Sequence, residues 1–237
     1  MDTDREFIIK WHSIFYQPAY FIRKGLYESV KSLAPLLKGQ VLDFGCGAKP
    51  YKELFTNATS YIGLDIEVSG HDHANEQVDV YYDGKVIPFD NGSFDNVFAT
   101  EVFEHIFNID EVLPEIKRVL KTGGQLLITC PFVCPEHEKP YDYARYTSFG
   151  IRHLLEKHGF RIKEQIKTGN YIEATAQVQM YFLNYMLPKK PVVLHRILHQ
   201  FFILPIILST SLLNIVLPKR IKRDDFYHSN VVLAEKM

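Results

Sequence analysis

Val41-Leu42-Asp43-Phe44-Gly45-Cys46-Gly47-Ala48-Lys49-Pro50 is the stretch on which the fold turns. Residues 40–44 form a short apolar run closed by an acid and an aromatic, the pattern of a strand buried in a parallel sheet. Two glycines one residue apart follow, where the chain must bend sharply and can let a ligand approach its backbone. A dinucleotide turn, G-x-G-x-x-G, would carry its third glycine where Pro50 stands. Asp43 beside the turn repels a pyrophosphate and suits a ligand with a cationic end. A ligand-free, Gly-rich βα turn is the plain alternative. The next strand ends Tyr61-Ile62-Gly63-Leu64-Asp65, which puts Asp65 about 20 residues past the turn, where an acid accepts hydrogen bonds from ribose hydroxyls. The pair predicts a nucleoside ligand at the carboxyl edge of a parallel sheet.

Outward from there, the alternation continues. Residues 60–66, 78–82, 94–100, 125–130 and 161–167 read as strands, and Lys121-Thr122-Gly123-Gly124 as a turn. Residues 109–120 read as a helix with Val112, Ile116, Val119 and Leu120 on one face. A second helix, 147–158, has Thr147 as its N-cap and Gly159 as its stop. Upstream, 7–38 reads as helical and divided by Pro18, with Tyr20, Lys24, Tyr27, Val30 and Ala34 at helical spacing beside Leu26, Leu33 and Leu37. Alternating strands and helices predict βαβ units in an α/β fold. Beyond Gly169 the period changes. Residues 171–187 and 192–217 read as two helices separated by Pro188-Lys189-Lys190-Pro191, and 226–235 as a closing strand. The expected division is an N-terminal helical region 1–38, a ligand-binding domain 39–169 with 226–237, and a helical insertion 170–225.

These residues together resemble the class I S-adenosylmethionine-dependent methyltransferases, type 11 group, over roughly 36–167 and the last strand. Asp43, Gly45 and Gly47 match the glycine motif, and Asp65 the ribose acid. Asp83-Gly84-Lys85-Val86-Ile87-Pro88-Phe89 is similar to the family's D-x-x-x-L-P-F segment, whose Asp meets the adenine amino group. Residues 93–106 resemble its fourth strand and the helix after it, and Leu120-Lys121-Thr122-Gly123-Gly124 its L-K-P-G-G turn, with Thr122 for the usual Pro. The resemblance implies a Rossmann-like, mostly parallel seven-stranded sheet flanked by helices, its last strand antiparallel and preceded here by the insertion. It implies S-adenosyl-L-methionine as cofactor, held by Asp43, Gly45, Cys46, Gly47, Asp65, Ile66, Asp83, Gly84, Thr100 and Glu101. It implies methyl transfer to a small-molecule, glycan or lipid-linked acceptor. A non-catalytic nucleoside-binding module and an NAD-dependent oxidoreductase are the alternatives; Pro50 and Asp43 disfavour the second.

Pro135-Glu136-His137-Glu138-Lys139-Pro140-Tyr141-Asp142-Tyr143-Ala144-Arg145-Tyr146-Thr147 gathers ionisable groups and phenols on the loop after the fifth strand, at the ligand edge. A similar H-x-x-P-x-D-Y-x-R-Y-T stretch marks a subgroup associated with cell-surface glycan biosynthesis. For a hydroxyl acceptor, His137 is the first candidate base and His105 the second, because neutral imidazole titrates near working pH. Asp142 would orient the imidazole, and Arg145 would bind an anionic part of the acceptor. The bland alternative is an Asp142–Arg145 pair that only shapes the loop. Cys130, Cys134 and His137 are too few and too oddly spaced for a zinc site, so no metal is expected.

The chain has 237 residues, enough for one α/β domain with an addition, and a net charge of −1 that argues against nucleic acid as partner. Three Cys build no disulfide framework, and the charged start Met1-Asp2-Thr3-Asp4-Arg5-Glu6 lacks an apolar signal core, so a reducing cytoplasm is expected. The charge is unevenly spread. No acid lies between Glu173 and Asp224, whereas Lys189, Lys190, Arg196, Lys219, Arg220, Lys222 and Arg223 do. Residues 197–217 are about long enough to span a bilayer, which needs roughly 20 apolar residues. His199, Gln200, Pro205 and Asn214 interrupt them, and a single crossing would strand the closing strand on the far side. The expectation is therefore a basic, apolar helical pair lying on the inner face of the membrane, with a second copy of the chain or a buried lid as alternatives.

Overall fold

The computed structural model describes residues 7–67, 77–218 and 220–237. Among them, seven strands make one sheet: β1 (Gly39–Phe44), β2 (Ala58–Ile66), β3 (Val80–Tyr82), β4 (Phe94–Thr100), β5 (Leu120–Pro131), β6 (Phe160–Lys167) and β7 (Ser229–Lys236). Their order is β3-β2-β1-β4-β5-β7-β6. The first five run parallel to one another, and β7 is antiparallel to both β5 and β6. This is the Rossmann-like, mostly parallel sheet that the alternation and the resemblance predict. The strand order reverses beside β1, and ligands of open α/β sheets bind at the carboxyl ends there.

The period of two in the strands sends alternate residues to opposite layers. Leu42, Phe44, Val97, Ala99, Leu126 and Ile128 pack with Val112, Ile116 and Val119 of helix α2 (Ile109–Val119) and with Ile151 and Leu155 of α3 (Ser148–Lys157). Val41, Phe98, Leu127 and Val231 pack on the other face with Leu26, Val30 and Leu33 of helix α1 (Tyr20–Leu33). The buried side of α1 is thus Ile22, Leu26, Val30 and Leu33, and Tyr20, Lys24 and Tyr27 lie at its edge. Thr147 caps α3 as its sequence predicts, its hydroxyl accepting the Gly150 N–H at 3.0 Å.

Two expectations need correction. Residues 121–124 are not a turn ahead of β5 but part of it. Leu120 pairs with Phe94 and Gln125 with Asn96, so the glycine pair forms an irregularity inside one long strand. Residues 192–217 are not one helix but two, α5 (Val192–Phe202) and α6 (Leu204–Val216). Pro205 has no N–H to return to the carbonyl of Phe201, and the helix breaks at Ile203. With α4 (Tyr171–Met186) they lie between β6 and β7 in the chain. Met180, Leu187, Ile203 and Ile207 of this segment close over Phe21 of α1. The far side stays open: Val193, Phe201, Ile215 and Val216 are 68%, 76%, 81% and 69% exposed.

Candidate active site

The carboxyl ends of β1 and β2 carry the glycine turn. Asp43 is buried; its Oδ2 accepts the Tyr61 hydroxyl at 2.7 Å, and its Oδ1 has no hydrogen-bond partner among the described residues. Burial pushes this carboxyl up to about 7, with Tyr61 pulling down and Asp65 adding to the rise. Gly45 has φ +71°, and a Cβ there would sit 2.5 Å from Val102 Cγ2, so the turn is locked onto the loop after β4. Gly47 has φ +47° with nothing within 4 Å of a Cβ, an open cradle. Asp65 accepts the Gly47 and Ile66 N–H groups at 2.8 Å each, so the acid and the turn hold each other in place. The Cys46 thiol is buried, and burial pushes its pKa far up, which makes it a packing group.

Sequence reasoning missed Lys49, a buried residue with φ +53° that forms an ion pair with Asp79. Asp79 also accepts the Gly63 N–H at 2.7 Å. A Cβ at Gly63 would lie 2.2 Å from Lys49 Cε, so the lysine stem lies along the middle of β2. Asp83 is exposed beyond β3 and accepts the Lys85 and Val86 N–H groups at 2.9 and 3.0 Å, closing its own turn around Gly84. At the end of β4, Thr100 Oγ1 is 3.0 Å from Thr129 Oγ1, which donates to Glu101 Oε1 at 2.8 Å. Burial holds the Glu101 carboxyl above its usual range.

The loops after β4 and β5 meet beside this turn. Glu104 is fully buried, and neither of its carboxylate oxygens has a hydrogen-bond partner among the described residues. Burial, and then the charge of Glu101, hold its carboxyl well up. His105 Nδ1 lies 2.8 Å from the Tyr141 carbonyl. A carbonyl only accepts, so Nδ1 carries a hydrogen. The His105 Nε2 is buried without a hydrogen-bond partner, 3.8 Å from Glu104 Oε1 and 3.8 Å from Glu138 Oε2. His137 Nδ1 lies 3.2 Å from the Pro135 carbonyl, and its ring is 4.8 Å from that of His105, edge to face. Burial and the neighbouring His105 lower the His137 pKa, so the ring is neutral at neutral pH.

The structure brings His105 and His137 together and adds Glu104, which the sequence reading passed over between Glu101 and His105. It places Asp142 beside the His137 imidazole, as expected of an orienting carboxylate, and pairs it with Arg145, the alternative the sequence also left open. Arg145 grips Asp142 with two bonds of 2.5 and 2.6 Å and donates to the carbonyls of Cys134, Pro135 and Ala144. Asp142 accepts the backbone N–H of His137 at 2.9 Å, and Arg145 pulls its carboxyl down to about 2. The pair holds the loop, and His137 Nδ1 lies 3.2 Å from the Pro135 carbonyl, 3.4 Å from Asp142 Oδ2 and 3.5 Å from Arg145 Nη2. Cys130 is in the core, and Cys134 Sγ lies 3.9 Å from His137 Nδ1, the nitrogen already held by Pro135.

Residues 42–128 match the family model described as "Methyltransferase domain". An O-methyltransferase of Pyrenophora dematioidea is 27% identical over 61% of this chain and 62% of its own length. The chain spans 62% of that relative's length, and 24% of the length of a sarcosine/dimethylglycine N-methyltransferase of Halorhodospira halochloris that it matches at 39% identity. Phosphoethanolamine N-methyltransferase 2 of Haemonchus contortus, solved in complex with S-adenosyl-L-methionine, superposes with a TM-score of 0.53 at 20% identity, over 98% of this chain and 60% of its own. The [4+2]-cyclase SpnF superposes with a TM-score of 0.54 at 19% identity, over 89% of this chain and 81% of its own. Such likenesses give the fold alone, and the fold carries more than one chemistry.

The residues fit a cofactor with a nucleoside and a cationic amino-acid end. Asp43 offers a buried carboxylate oxygen without a partner, which a cation would satisfy. Gly47 leaves open space beside it. The Asp65 carboxylate stands at the end of β2, where ribose hydroxyls are taken.

Proposed function

We infer, from the membership of its central domain in the class I S-adenosylmethionine-dependent methyltransferases, type 11 group, that this chain methylates a hydroxyl of a small-molecule, glycan or lipid-linked acceptor. One observation supports the hydroxyl. Beside the glycine turn stand two imidazoles whose Nδ1 atoms face backbone carbonyls, leaving Nε2 of each as a proton acceptor. S-adenosyl-L-methionine supplies an activated methyl group when bound. Asp43, Gly47 and Asp65 would hold it, with Glu101 and Thr100 at the neighbouring strand end. The protein contributes alignment and a proton acceptor at His137, with His105 beside it. Arg145 and Asp142 keep the His137 loop in place.

The test is incubation of the full chain with methyl-labelled cofactor and a panel of hydroxyl acceptors, free and lipid-linked, scored for S-adenosylhomocysteine. Label transferred to oxygen, lost in His137→Ala with S-adenosylhomocysteine affinity intact, supports the reading. Tight binding of S-adenosylhomocysteine with no acceptor methylated would leave a nucleoside-binding module. A second proposal concerns location: the chain works in the cytoplasm, peripheral on the inner face of a membrane. The exposed apolar residues of α5 and α6 support it, and a homodimer through that face is the competing reading.

A further inference from the structure

Glu104, His105 and His137 each offer a ligand atom, and these atoms all lie within 4.8 Å of one another. We infer that they form a binding site for one divalent transition-metal ion, which receives the acceptor hydroxyl; this deepens the methyltransferase reading and rests on it for the hydroxyl.

Four observations carry the site. Glu104 is fully enclosed, and neither carboxylate oxygen has a hydrogen-bond partner among the described residues. Buried polar groups are almost always hydrogen-bonded, and an unpaired buried carboxylate is costly, so such a group waits for a partner. His105 Nε2 is likewise buried without a hydrogen-bond partner, 3.8 Å from Glu104 Oε1. Metal bonds of about 2.0–2.2 Å place ligand atoms about 3–4 Å apart, so the present spacing closes on an ion with small side-chain adjustments. Both imidazoles face a backbone carbonyl with Nδ1, Tyr141 for His105 and Pro135 for His137. That is how metal-ligating histidines have their tautomer and orientation fixed.

The donor set chooses the ion. Two imidazoles with one carboxylate suit Zn²⁺, Fe²⁺, Co²⁺ or Mn²⁺, whereas Ca²⁺ wants six to eight oxygens. The thiol of Cys134 is outside the set, since it approaches the nitrogen of His137 that faces Pro135. The other charges nearby are Glu138, whose Oε2 is 3.8 Å from His105 Nε2, Glu101, and the mutually paired Asp142 and Arg145. A dication is therefore not opposed by an unpaired cation among them. Three protein ligands leave positions open, and an ion there lowers the pKa of a hydroxyl that binds it. With the ion bound, the two imidazoles give their free nitrogens to it instead of taking the proton, and the hydroxyl proton goes to solvent. The new O–C bond forms as the C–S bond of the cofactor breaks, and sulfur keeps the electron pair.

The experiment titrates Co²⁺ into the full chain after dialysis against a chelator, read by visible absorption and by calorimetry. One equivalent should bind with d–d bands, and His105→Ala, His137→Ala and Glu104→Gln should each weaken it at least 100-fold. S-adenosylhomocysteine affinity, measured in every variant, reports that each has folded, and the exposed His153→Ala should bind Co²⁺ as wild type does. A wild-type protein that takes up no stoichiometric Co²⁺ overturns the site. So do His105→Ala and His137→Ala variants that bind it unchanged. If no ion binds but His137→Ala still abolishes methyl transfer, the imidazole works alone and the methyltransferase reading survives. Co²⁺ bound in the expected way, by a protein whose turnover is the same with and without it, overturns the link to the acceptor.

Discussion

At the scale of single residues, Asp43 gives the sharpest pH dependence. Burial pushes its carboxyl up from the usual carboxylate range to about 7. Without ligand, the folded protein binds a proton there between those values, so this group's contribution to stability is lost as pH rises through 7. A cationic ligand reverses the preference and needs the ionised form. Its affinity should fall as pH drops below 7, by up to tenfold per unit. Calorimetry of S-adenosylmethionine at pH 6.5 in two buffers of different ionisation enthalpy should detect proton release, and Asp43→Asn should release none. Asp65→Ala should weaken S-adenosylhomocysteine by about 1–3 kcal/mol, the scale of charge-assisted hydrogen bonds. Gly45→Val should abolish binding in the same assay. The reason lies in the fold rather than in ligand access, since a Cβ at Gly45 meets Val102. Gly47→Ala meets no atom, and its left-handed φ alone costs about 1 kcal/mol.

At the scale of elements, β1, β2 and β4 were legible because parallel strands read as apolar runs ending at the ligand edge. Thr147 and Gly159 were legible because caps are local chemistry. What escaped was decided by distant partners. The glycine pair at 123–124 reads as a turn by itself, yet Leu120 pairs with Phe94 and carries it into β5. Lys49 and Asp79 are 30 residues apart, with no pattern linking them. Glu104 reads as one more acid after β4, yet it is buried, and the loop from β5 donates the Tyr143 and Ala144 N–H groups to its carbonyl. The same loop explains Arg145. Its planar fork holds Asp142 and three carbonyls, so Arg145→Lys, which lacks that fork, should not restore what Arg145→Ala loses. Hydrogen exchange should show faster exchange across 133–146 in both variants, with S-adenosylhomocysteine affinity unchanged. Protection equal to wild type would mean the loop stands without the pair.

At the scale of the whole molecule, charge and topology bear on where the chain works. Residues 192–216 are long and apolar enough to cross a membrane by length and composition, with 17% of the most apolar window buried. The sheet opposes a single crossing. β7 follows this segment and is hydrogen-bonded between β5 and β6, which precede it, so the chain must return to the side it left. The break at Ile203 divides the segment into α5 and α6, so it is not one continuous helix of spanning length. Arg220, Lys222 and Arg223 then stand at its end, and each basic group near anionic headgroups is worth about 1 kcal/mol. Lys219, expected to act with them, lies outside the described residues. The full chain should float with anionic vesicles at low salt, and less so at high salt. Replacing Arg220, Lys222 and Arg223 by Gln should weaken vesicle binding by about 10²-fold, with S-adenosylhomocysteine affinity as the control for folding. Lys222 also bonds the Asn214 carbonyl at the end of α6, so Phe201→Ser with Ile215→Ser provides an independent variant that removes apolar area and leaves the charges. A protein that stays in solution with anionic vesicles at low salt loses the membrane reading. If it then sediments as a dimer that Ile215→Ser dissociates, the same apolar face belongs to a second copy of the chain.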